Sequence, residues 1–293
     1  MDLPKAKKKN STALIVEGGG MRGAFAGGAL SAMCKYYPSK NFDLMLGVSA
    51  GSCSLAYYAT EDRRSFPSLK KILEIWQNEL HGSRFISFKN LLRGSTILNQ
   101  KYLIDYLIAD KHRINIEKFK RKLKIPFYIA VSNLENIKAE YIKVNHENIF
   151  QVLKAATALP IATKGRHLLN QIRYSDGGIT DPIPIKAVIE AGYKNITLVL
   201  NHPRDYFSKP LHRLMAYLSF PFHRSVRKFL KEEHHEKYNE AKRIIQNPPE
   251  GVNLEIIDPE KKIPVKITTT RQKDVIALFE HGWERAEKFF KRK

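Results

Sequence analysis

Residues 12–23 read TALIVEGGGMRG and residues 43–51 read DLMLGVSAG, and these two stretches decide the fold. In each of them a short apolar run ends at glycines, which is typical of a buried strand that leads into a tight turn. Apolar residues recur at helical spacing over residues 21–37, and small residues fill much of residues 49–59. The repeated order of strand, turn and helix predicts an open parallel sheet that is covered by helices on both faces.

The same alternation continues as far as residue 203. Apolar runs predict further strands at residues 125–131, 141–144, 172–174 and 196–200. Helical spacing predicts further helices at residues 69–80, 100–109, 149–156 and 185–191. The fold class that we predict is therefore α/β, with three αβα layers around a mostly parallel central sheet.

The character of the sequence changes after residue 203. Basic amphipathic patterns predict helices over residues 226–245 and 275–290, and a strand lies between them at residues 254–257. We therefore expect three parts along the chain, namely a basic tail over residues 1–11, an α/β domain over residues 12–203 and a mainly helical C-terminal extension over residues 204–293.

The chain is strongly basic. Its 50 Lys and Arg residues outnumber its 29 Asp and Glu residues, which gives a formal net charge of +21 at pH 7. This excess fits a polyanionic partner, either nucleic acid or an anionic membrane surface, and it peaks locally over residues 111–124. A solvated basic surface that keeps the protein soluble is the alternative explanation, and charge alone does not exclude it.

Cysteine content and hydropathy exclude several classes of protein. The two cysteines, Cys34 and Cys53, are too few for a disulfide framework or a four-thiolate metal site. No apolar run approaches the roughly 18 residues of a membrane-spanning helix, and no secretory signal precedes the first strand. We expect a cytoplasmic protein without a metal or a cofactor, with peripheral contact at the inner membrane surface as an option.

The second of the two quoted stretches contains a G-x-S-x-G motif that spans residues 47–51. Between a strand and a helix this motif predicts a nucleophile elbow, in which the glycines permit a tight turn that lifts the hydroxyl of Ser49 clear of the sheet. Residues 18–23 match G-x-G-x-x-G, so a dinucleotide site is an alternative, with Asp43 near the spacing of its ribose-binding acid. However, Asp43 opens the second strand, whereas the ribose-binding acid belongs at the far end of that strand.

A serine hydroxyl needs a base to take its proton, and two candidates follow predicted strands. Asp176 comes after the strand at residues 172–174 and enters a turn at Gly177 and Gly178, where glycines permit close backbone approach. His202 also follows a strand and would fit a triad of serine, histidine and acid. We favour Asp176, although a turn-forming aspartate is common before glycine. Three other histidines are expected in a loop or on a solvated basic helix face, namely His167, His234 and His235.

Taken together, the glycine loop, the elbow and the Asp-Gly-Gly turn resemble the patatin-like phospholipase family, in particular its compact bacterial members with a C-terminal extension. Residues 155–160, AATALP, also resemble the small-residue and proline segment that this family has before its Asp-Gly motif. The resemblance covers about residues 12–203. It implies a serine acyl hydrolase that releases fatty acid from lipid or phospholipid esters and uses no cofactor.

The resemblance also implies roles for individual residues. Ser49 would be the nucleophile and Asp176 its direct general base, with no histidine between them. Backbone amides of the glycine loop, chiefly those of Gly19 and Gly20, would form the oxyanion hole, and Arg22 fits the basic position of this loop. The complete set of implied positions outside the dyad comprises the loop, the elbow and the turn: Gly18, Gly19, Gly20, Arg22 and Gly23, then Gly47 and Gly51, then Gly177 and Gly178.

Three residues near these motifs are expected to be structural. Glu17 stands where other family members often have Asp, and we expect this difference to have no consequence for the mechanism. Asp181 is expected to shape the turn that follows Asp176. Cys53 lies one helical turn after Ser49, and its position favours buried packing over redox chemistry.

Two stretches combine apolar and basic side chains in a pattern typical of contact with an anionic membrane. One covers residues 84–93, and the other covers residues 211–228, where Phe220 and Phe222 are the candidates for insertion. For the second stretch the alternative is a helix that docks the extension onto the core, and we prefer that interpretation.

Three other functions are alternatives to a lipid hydrolase. A nucleotide-binding protein would use residues 18–23 for phosphate, and a non-lipid esterase would use a Ser-His-acid triad. A nucleic-acid-binding module would use the basic charge but would leave the glycine motifs unexplained. We therefore do not expect a nucleic-acid partner.

Overall fold

The computed structural model of this chain describes residues 3–61, 66–93, 95–121, 125–260 and 264–292. A single mixed sheet forms its centre. The described residues contribute eight strands to this sheet, namely β1 (Thr12–Val16), β2 (Leu44–Val48), β3 (Phe127–Asn133), β4 (Lys138–Lys143), β5 (His167–Leu169), β6 (Ile172–Asp176), β7 (Asn195–Val199) and β8 (Asn253–Ile257). Their order across the sheet is β5-β6-β3-β2-β1-β7-β8, and β4 pairs with β3 outside this order.

The middle of the sheet is parallel and one side of it is antiparallel. β1 pairs in parallel with β2 and with β7, and the pairs β2–β3 and β7–β8 are also parallel. β4 and β6 run antiparallel to β3, and β5 runs antiparallel to β6. The prediction of a mostly parallel sheet is therefore confirmed. The three-residue β5, which contains His167, is too short for its periodicity to predict a strand.

Helices pack against this sheet. Those of the described residues are α1 (Ala24–Tyr36), α2 (Ala50–Ala59), α3 (Pro67–Glu74), α4 (Ile116–Lys120), α5 (Ile149–Ala156), α6 (Ile185–Glu190), α7 (Arg213–Ser219), α8 (Arg224–Glu232), α9 (His234–Gln246) and α10 (Gln272–Phe290). Two further segments are π-helical, Ile75–Glu79 and Tyr102–Lys111. The first segment lies at the end of the helix that the sequence predicts over residues 69–80, and the second covers most of the helix predicted over residues 100–109.

Alternation along the strands explains why helices are needed on both faces. In β1, Leu14 and Val16 join an apolar cluster with α1, α2, α5 and α10, whereas Ala13 and Ile15 join a second cluster with α6 and α9. Successive side chains of a strand point to opposite faces, so a strand that is apolar throughout must be covered on both sides. The three-layer αβα arrangement follows from this constraint and agrees with the prediction.

Residues 204–293 join the same sheet and the same apolar clusters. β8 extends the sheet beyond β7, with Asn253 opposite Asn195. α10 crosses α1 so closely that a Cβ atom at Gly28 would lie 1.8 Å from the carbonyl oxygen of Phe279. The predicted helical stretch at residues 226–245 consists of two helices, α8 and α9. The division at residue 203 stays a prediction, as does the tail, from which Leu3 packs into the second cluster.

The crossing of α1 and α10 allows a test of the fold. A Cβ atom at Gly282 would lie 2.0 Å from the carbonyl oxygen of Phe25. We expect Gly282→Ala to lower the free energy of unfolding by about 1–3 kcal/mol, because the two helices must separate. In an open helix the same change would stabilise by about 1 kcal/mol. Urea unfolding measures the difference, with the exposed Glu280→Ala on α10 as a control expected within about 0.5 kcal/mol of wild type. A stabilised Gly282→Ala would contradict the close crossing.

Candidate active site

Ser49 lies at the turn between β2 and α2. Its backbone has φ 50° and ψ −131°, a conformation that non-glycine residues seldom adopt and that costs about 1–3 kcal/mol. The turn packs tightly against the end of β1, since a Cβ atom at Gly51 would lie 2.5 Å from the carbonyl oxygen of Glu17. A Cβ atom at Gly47 would likewise lie 2.8 Å from the Cα atom of Ser52. The G-x-S-x-G motif therefore stands between a strand and a helix, as the sequence predicts.

Asp176 is the last residue of β6 and precedes the turn of Gly177 and Gly178. Its Oδ1 atom accepts a hydrogen bond from the amide of Gly178 at 2.8 Å, and its Oδ2 atom accepts one from the hydroxyl of Ser49 at 2.5 Å. Only 4% of Ser49 and 2% of Asp176 are exposed. A Cβ atom at Gly177 would lie 2.3 Å from the carbonyl oxygen of Ala130, so this turn packs directly on β3.

Burial changes the acid–base chemistry of Asp176. Loss of solvation raises the pKa of its carboxyl group to about 6, while the hydrogen bonds from Ser49 and Gly178 favour the charged form and oppose the rise. A carboxylate with this pKa is a stronger base than an exposed one and is still ionised at pH 7. The arrangement can therefore take the proton of the serine hydroxyl directly.

Two histidines, His202 and His234, line the same cleft as Ser49 and Asp176, but their rings stack on or hydrogen-bond to groups other than these two side chains. The ring of His202 stacks on that of Tyr206 with centroids 4.1 Å apart. His234 forms a hydrogen bond from Nδ1 to the carbonyl oxygen of Ile179 at 2.9 Å, and burial lowers the pKa of its imidazole. The expectation that His234 and His235 are solvated is wrong, because α9 packs against the turn after β6 and leaves both side chains half-buried.

A buried network holds the start of the glycine loop. Oε1 of Glu17 accepts a hydrogen bond from the hydroxyl of Tyr238 at 2.9 Å, and Oε2 accepts one from the amide of Asn201 at 2.5 Å. The side chain of Asn201 donates in turn to the carbonyl oxygens of Glu17 at 2.7 Å and Gly18 at 3.1 Å. Burial raises the pKa of Glu17, and the cation of Lys242 opposes that rise. Sequence analysis missed this network, because its partners come together only through the sheet and α9.

The rest of the glycine loop lines the cleft. Gly20 has φ 58°, and a Cβ atom there would lie 2.7 Å from Cγ2 of Ile267, so only glycine fits. The amide of Met21 donates to the carbonyl oxygen of Ile267 at 3.0 Å, whereas the amides of Gly19 and Gly20 find no acceptor in the described part of the chain. The buried Nε of Arg22 likewise has no hydrogen-bond partner among those residues.

The structure also places three other residues that the sequence singles out, namely Gly23, Asp181 and Asp43. Gly23 is buried and directly precedes α1. Asp181 accepts a hydrogen bond from the hydroxyl of Tyr141 at 2.5 Å, and burial raises the pKa of its carboxyl group to about 6. Asp43 accepts a hydrogen bond from the amide of Thr12 at 2.9 Å, so its carboxylate ties the starts of β1 and β2 together.

Two cavities meet beside Ser49, and Gly20, Leu159 and Ile267 also line both of them. The first cavity is apolar and extends along α2 past Cys53 to Tyr57. Its further walls are apolar side chains that include Ile72, Trp76, Leu103 and Ile108. The second cavity is wider and more polar, and its walls comprise the glycine loop, Asp176, His202 and parts of α7, α8 and α9.

Cys53 contributes an uncharged wall to the apolar cavity. Burial raises the pKa of its thiol to about 12, so the thiol stays protonated at pH 7. Among the described residues, no group of three or more His, Cys, Asp or Glu is placed to hold a metal ion. Within the same ranges, every helix is too short or too polar to cross a lipid bilayer.

The two stretches predicted to contact an anionic membrane, residues 84–93 and 211–228, each contain one buried and one exposed phenylalanine that bear on this prediction. In the first stretch, Phe85 is buried and Phe88 is exposed, and the side chains of Leu91, Leu92 and Arg93 lie outside the described residues. In the basic peak at residues 111–124, residues 122–124 also lie outside the description. The second stretch forms α7 and the start of α8. There Phe222 is exposed, whereas Phe220 is buried, so of the two candidates for insertion Phe222 is the one that lies at the surface.

Known proteins resemble this chain in both sequence and fold. The sequence profile of the patatin-like phospholipase family matches residues 14–189, and a domain of unknown function (DUF6363) matches residues 230–292. A curated relative, the uncharacterized protein YjjU of Escherichia coli strain K12, is 24% identical over 257 residues, which are 86% of this chain and 69% of the relative.

A solved structure supports the same fold. The crystal structure of VipD from Legionella pneumophila aligns with a TM-score of 0.50 and 13% identity, over 99% of this chain and 70% of that chain. At this identity the likeness concerns the fold alone. The sequence profile, in contrast, spans more than half of the chain and includes both the elbow and the Asp-Gly-Gly turn. The chain belongs to the patatin-like phospholipase family.

Proposed function

We propose that this protein is a serine acyl hydrolase that releases fatty acid from lipid or phospholipid esters. The match to the patatin-like phospholipase family supports the hydrolysis of lipid esters as a general class of activity. The observation that carries the residue assignment is the 2.5 Å hydrogen bond from the hydroxyl of Ser49 to Oδ2 of Asp176. It joins a nucleophile and a base inside one cleft, with the base accepting from the nucleophile directly.

Acylation begins at the hydroxyl of Ser49. Its oxygen attacks the ester carbonyl carbon while its proton moves to Oδ2 of Asp176, and a tetrahedral intermediate with a negatively charged oxygen forms. The amides of Gly19 and Gly20 donate to that oxygen, and one such donor is typically worth about 3–4 kcal/mol of barrier. The intermediate collapses to acyl-serine, and the alcohol leaves with the proton from Asp176.

Deacylation uses the same groups in reverse. A water molecule attacks the acyl-serine carbonyl carbon while Asp176 takes its proton, and the glycine amides again hold the negatively charged oxygen. Collapse breaks the bond to Oγ of Ser49, which regains the proton from Asp176. The fatty acid then leaves, and the cycle has consumed one water molecule. Arg22 adds a positive charge to the wall of the cleft in which these anions form.

The same geometry gives less support to the other functions. A Ser-His-acid esterase needs a histidine on the serine hydroxyl, but that hydroxyl donates to Asp176, and His202 stacks on Tyr206. A dinucleotide site needs Asp43 for a ribose, but its carboxylate already holds the amide of Thr12 at the other end of the strands. We therefore keep the lipid hydrolase as the proposed function.

The apolar cavity supports an acyl chain as the ligand beside Ser49. Along α2, the distance from Ser49 past Cys53 to Tyr57 is about 12 Å at the usual rise of 1.5 Å per residue. A hydrocarbon chain that enters this cavity leaves water for apolar surroundings, which is favourable, while a polar group there would lose its hydration. We infer that the fatty acyl part of the substrate binds in this cavity and the remainder in the polar cleft.

Peripheral contact with an anionic membrane is part of the same proposal. Lipid esters reside in membranes, and the net charge of +21 attracts the chain to an anionic surface. The attraction is electrostatic and decays over about 10 Å at 0.1 M salt.

Removal of the nucleophile tests the proposed activity. We expect Ser49→Ala to abolish covalent labelling by a fluorophosphonate probe and hydrolysis of a soluble ester, because the attacking oxygen is lost. Labelling is measured by in-gel fluorescence and hydrolysis by release of the alcohol. Ser52→Ala is the matched control and should keep both signals, since it removes from the same helix a buried hydroxyl that has no hydrogen-bond partner among the residues the structure describes. Undiminished labelling of Ser49→Ala would refute the proposed mechanism.

Removal of the base tests the role of Asp176. We expect Asp176→Asn to lower kcat/KM by about 10²–10⁴-fold, because an amide cannot accept the proton. His202→Ala should retain most of the activity. In wild type, kcat/KM should fall as the pH drops below about 6, since only the ionised carboxylate accepts a proton. A large loss in His202→Ala with a small loss in Asp176→Asn would assign the base to the histidine.

Thermal unfolding is the control for the aspartate variant. The raised pKa means that protonation of Asp176 favours the folded state, so its ionised form destabilises the fold as the pH rises through about 6. Asp176→Asn should therefore be more stable than wild type at pH 8, by on the order of 2–3 kcal/mol, and the gap should narrow at pH 5. Reduced stability at pH 8 would mean that the amide disrupts the site rather than only its chemistry.

A larger side chain in the apolar cavity tests the acyl site. We expect Cys53→Leu to shift the preference toward short acyl chains, because the added carbons fill the cavity one turn from Ser49. For a dodecanoate ester, kcat/KM should fall about tenfold or more relative to the acetate ester. Cys53→Ala leaves the cavity open and is the matched control. Equal losses for both esters would show that the acyl chain binds elsewhere.

A further inference from the structure

All Lys, Arg, Asp and Glu residues in the segment at residues 206–231 are of the basic kind. The segment contains six Lys and Arg residues and no Asp or Glu residue. It forms α7, the first helix after the sheet strand β7, and nearly all of α8. Among its basic side chains, Arg213, Arg224 and Lys228 are exposed. Arg227 instead donates to the carbonyl oxygen of Phe220, so it stabilises the turn between the two helices.

The outer side of this segment is apolar as well as basic. Phe222 is 92% exposed, and on α7 the exposed fractions are 58% for Leu214 and 52% for Leu218. Tyr217 is also exposed, and the Arg227 guanidinium lies 5.3 Å from the centre of its ring. Single exposed apolar residues are ordinary, but several large ones within nine residues form a patch that marks an interaction site.

The inner side of the same segment fixes its position. Ala216 and Phe220 are buried in an apolar cluster with Val226, Phe229 and Leu230 of α8. The segment thus docks onto the rest of the protein through one side and leaves the other uncovered. The two interpretations of residues 211–228, a docking helix and a membrane contact, therefore belong to opposite sides of one helix and do not exclude each other.

This patch continues into the cleft of the candidate active site. Leu211, Met215 and Ser219 line the cavity that also contains Ser49 and Asp176. Met215 is at the same time exposed on the outer surface of α7. An apolar path therefore runs from the outer surface of α7 to the mouth of the cleft.

We infer that the outer side of α7 together with Phe222 docks on an anionic lipid bilayer, and we call these residues the α7 face. Leu214, Leu218 and Phe222 enter the apolar boundary of the bilayer, while Arg213 and Arg224 contact anionic headgroups. Docking in this orientation places the mouth of the cleft against the membrane. The inference deepens the proposed function, on which its value for substrate access rests, but the binding itself can be measured without any activity.

Charge decides between a membrane and a second copy of this chain as the occupant. A symmetric dimer through the α7 face would bring together two copies of residues 206–231, which carry basic but no acidic side chains. Like charges at an interface repel each other. An anionic bilayer offers the opposite charge around an apolar interior, which matches both features of the face. The dimer is therefore kept as an outcome of the test.

Vesicle sedimentation of the full chain tests this inference. The vesicles are pure phosphatidylcholine, or phosphatidylcholine with about one third phosphatidylglycerol, and each is measured over a salt series. We expect binding to the anionic vesicles at low salt and weaker binding as salt rises. Leu218→Ser combined with Phe222→Ser should weaken binding about tenfold or more, whereas Tyr106→Ser, an exposed aromatic position on another element, should leave it unchanged.

A charge variant separates the two contributions. Arg213→Gln combined with Arg224→Gln should remove most of the preference for anionic vesicles, whereas the exposed pair Lys40→Gln and Lys143→Gln is the matched control with the same change in net charge. Hydrolysis of a soluble short-chain ester should remain at the wild-type level in all four variants. Ser49→Ala should bind vesicles as wild type does, so failure of the proposed hydrolase and failure of docking give different results.

Three outcomes would overturn the inference. Equal binding to both kinds of vesicle at low salt would show that the basic charge is only a solvated surface. Unchanged binding of the Leu218 and Phe222 variant would place the contact elsewhere on the protein. A dimer in light scattering that Phe222→Ser dissociates would assign the α7 face to a second copy of the chain.

Discussion

The hydrogen bond between Ser49 and Asp176 depends on the register of three neighbouring strands. Val48, the last residue of β2, lies opposite Ala130 of β3, and the next residue of β3, Val131, lies opposite Asp176 of β6. The serine and the aspartate therefore reach the same end of the sheet, although 127 residues separate them in the chain. A shift of β6 by one residue would turn Asp176 to the other face of the sheet, so the register of β6 on β3 is a requirement of this contact.

Residues that follow β7 complete the surroundings of this pair. Asn201 and Tyr238 hold the carboxylate of Glu17, and Ile267 covers Gly20, so the shape of the glycine loop is set by contacts from the second part of the chain. Neutral side chains could fill the same space, but a buried carboxylate with three donors also fixes the direction of each backbone group around it. The loop is therefore more rigid than its glycines alone would make it.

Local sequence patterns were sufficient for the features that depend on few neighbours. The strands β1 and β2, the turn at Ser49 and the Asp-Gly-Gly turn each follow from a short run of residue types, because buried strands and tight turns restrict side chains locally. The positions of Ser49 and Asp176 after predicted strands favoured their pairing, and the resemblance to a family added that no histidine lies between them. The hydrogen bond between the two side chains supports the roles proposed for them.

Features that depend on tertiary contacts could not be predicted in this way. Nothing local distinguishes the buried Phe220 from the exposed Phe222, since only the position of α7 on α8 decides which ring points inward. The burial of His234 depends on the turn after β6, which lies far away in sequence. Gly28 is a helical glycine whose local sequence does not reveal that α10 crosses α1 at this point. The steric clash that a larger side chain would cause there is therefore not visible in the sequence.

Burial links the chemistry of the site to the surface around it. An exposed carboxylate is a weak base, so a direct serine–aspartate pair works best where loss of solvation raises the pKa of Asp176. The same exclusion of water requires apolar walls, and apolar walls suit a substrate that is itself apolar. The proposed substrate, a lipid ester, is scarce in water and abundant in a bilayer, and the proposed docking of the α7 face would bring the mouth of the cleft to it. On this argument the burial that raises the pKa of Asp176 and the proposed docking of the α7 face both suit one apolar substrate.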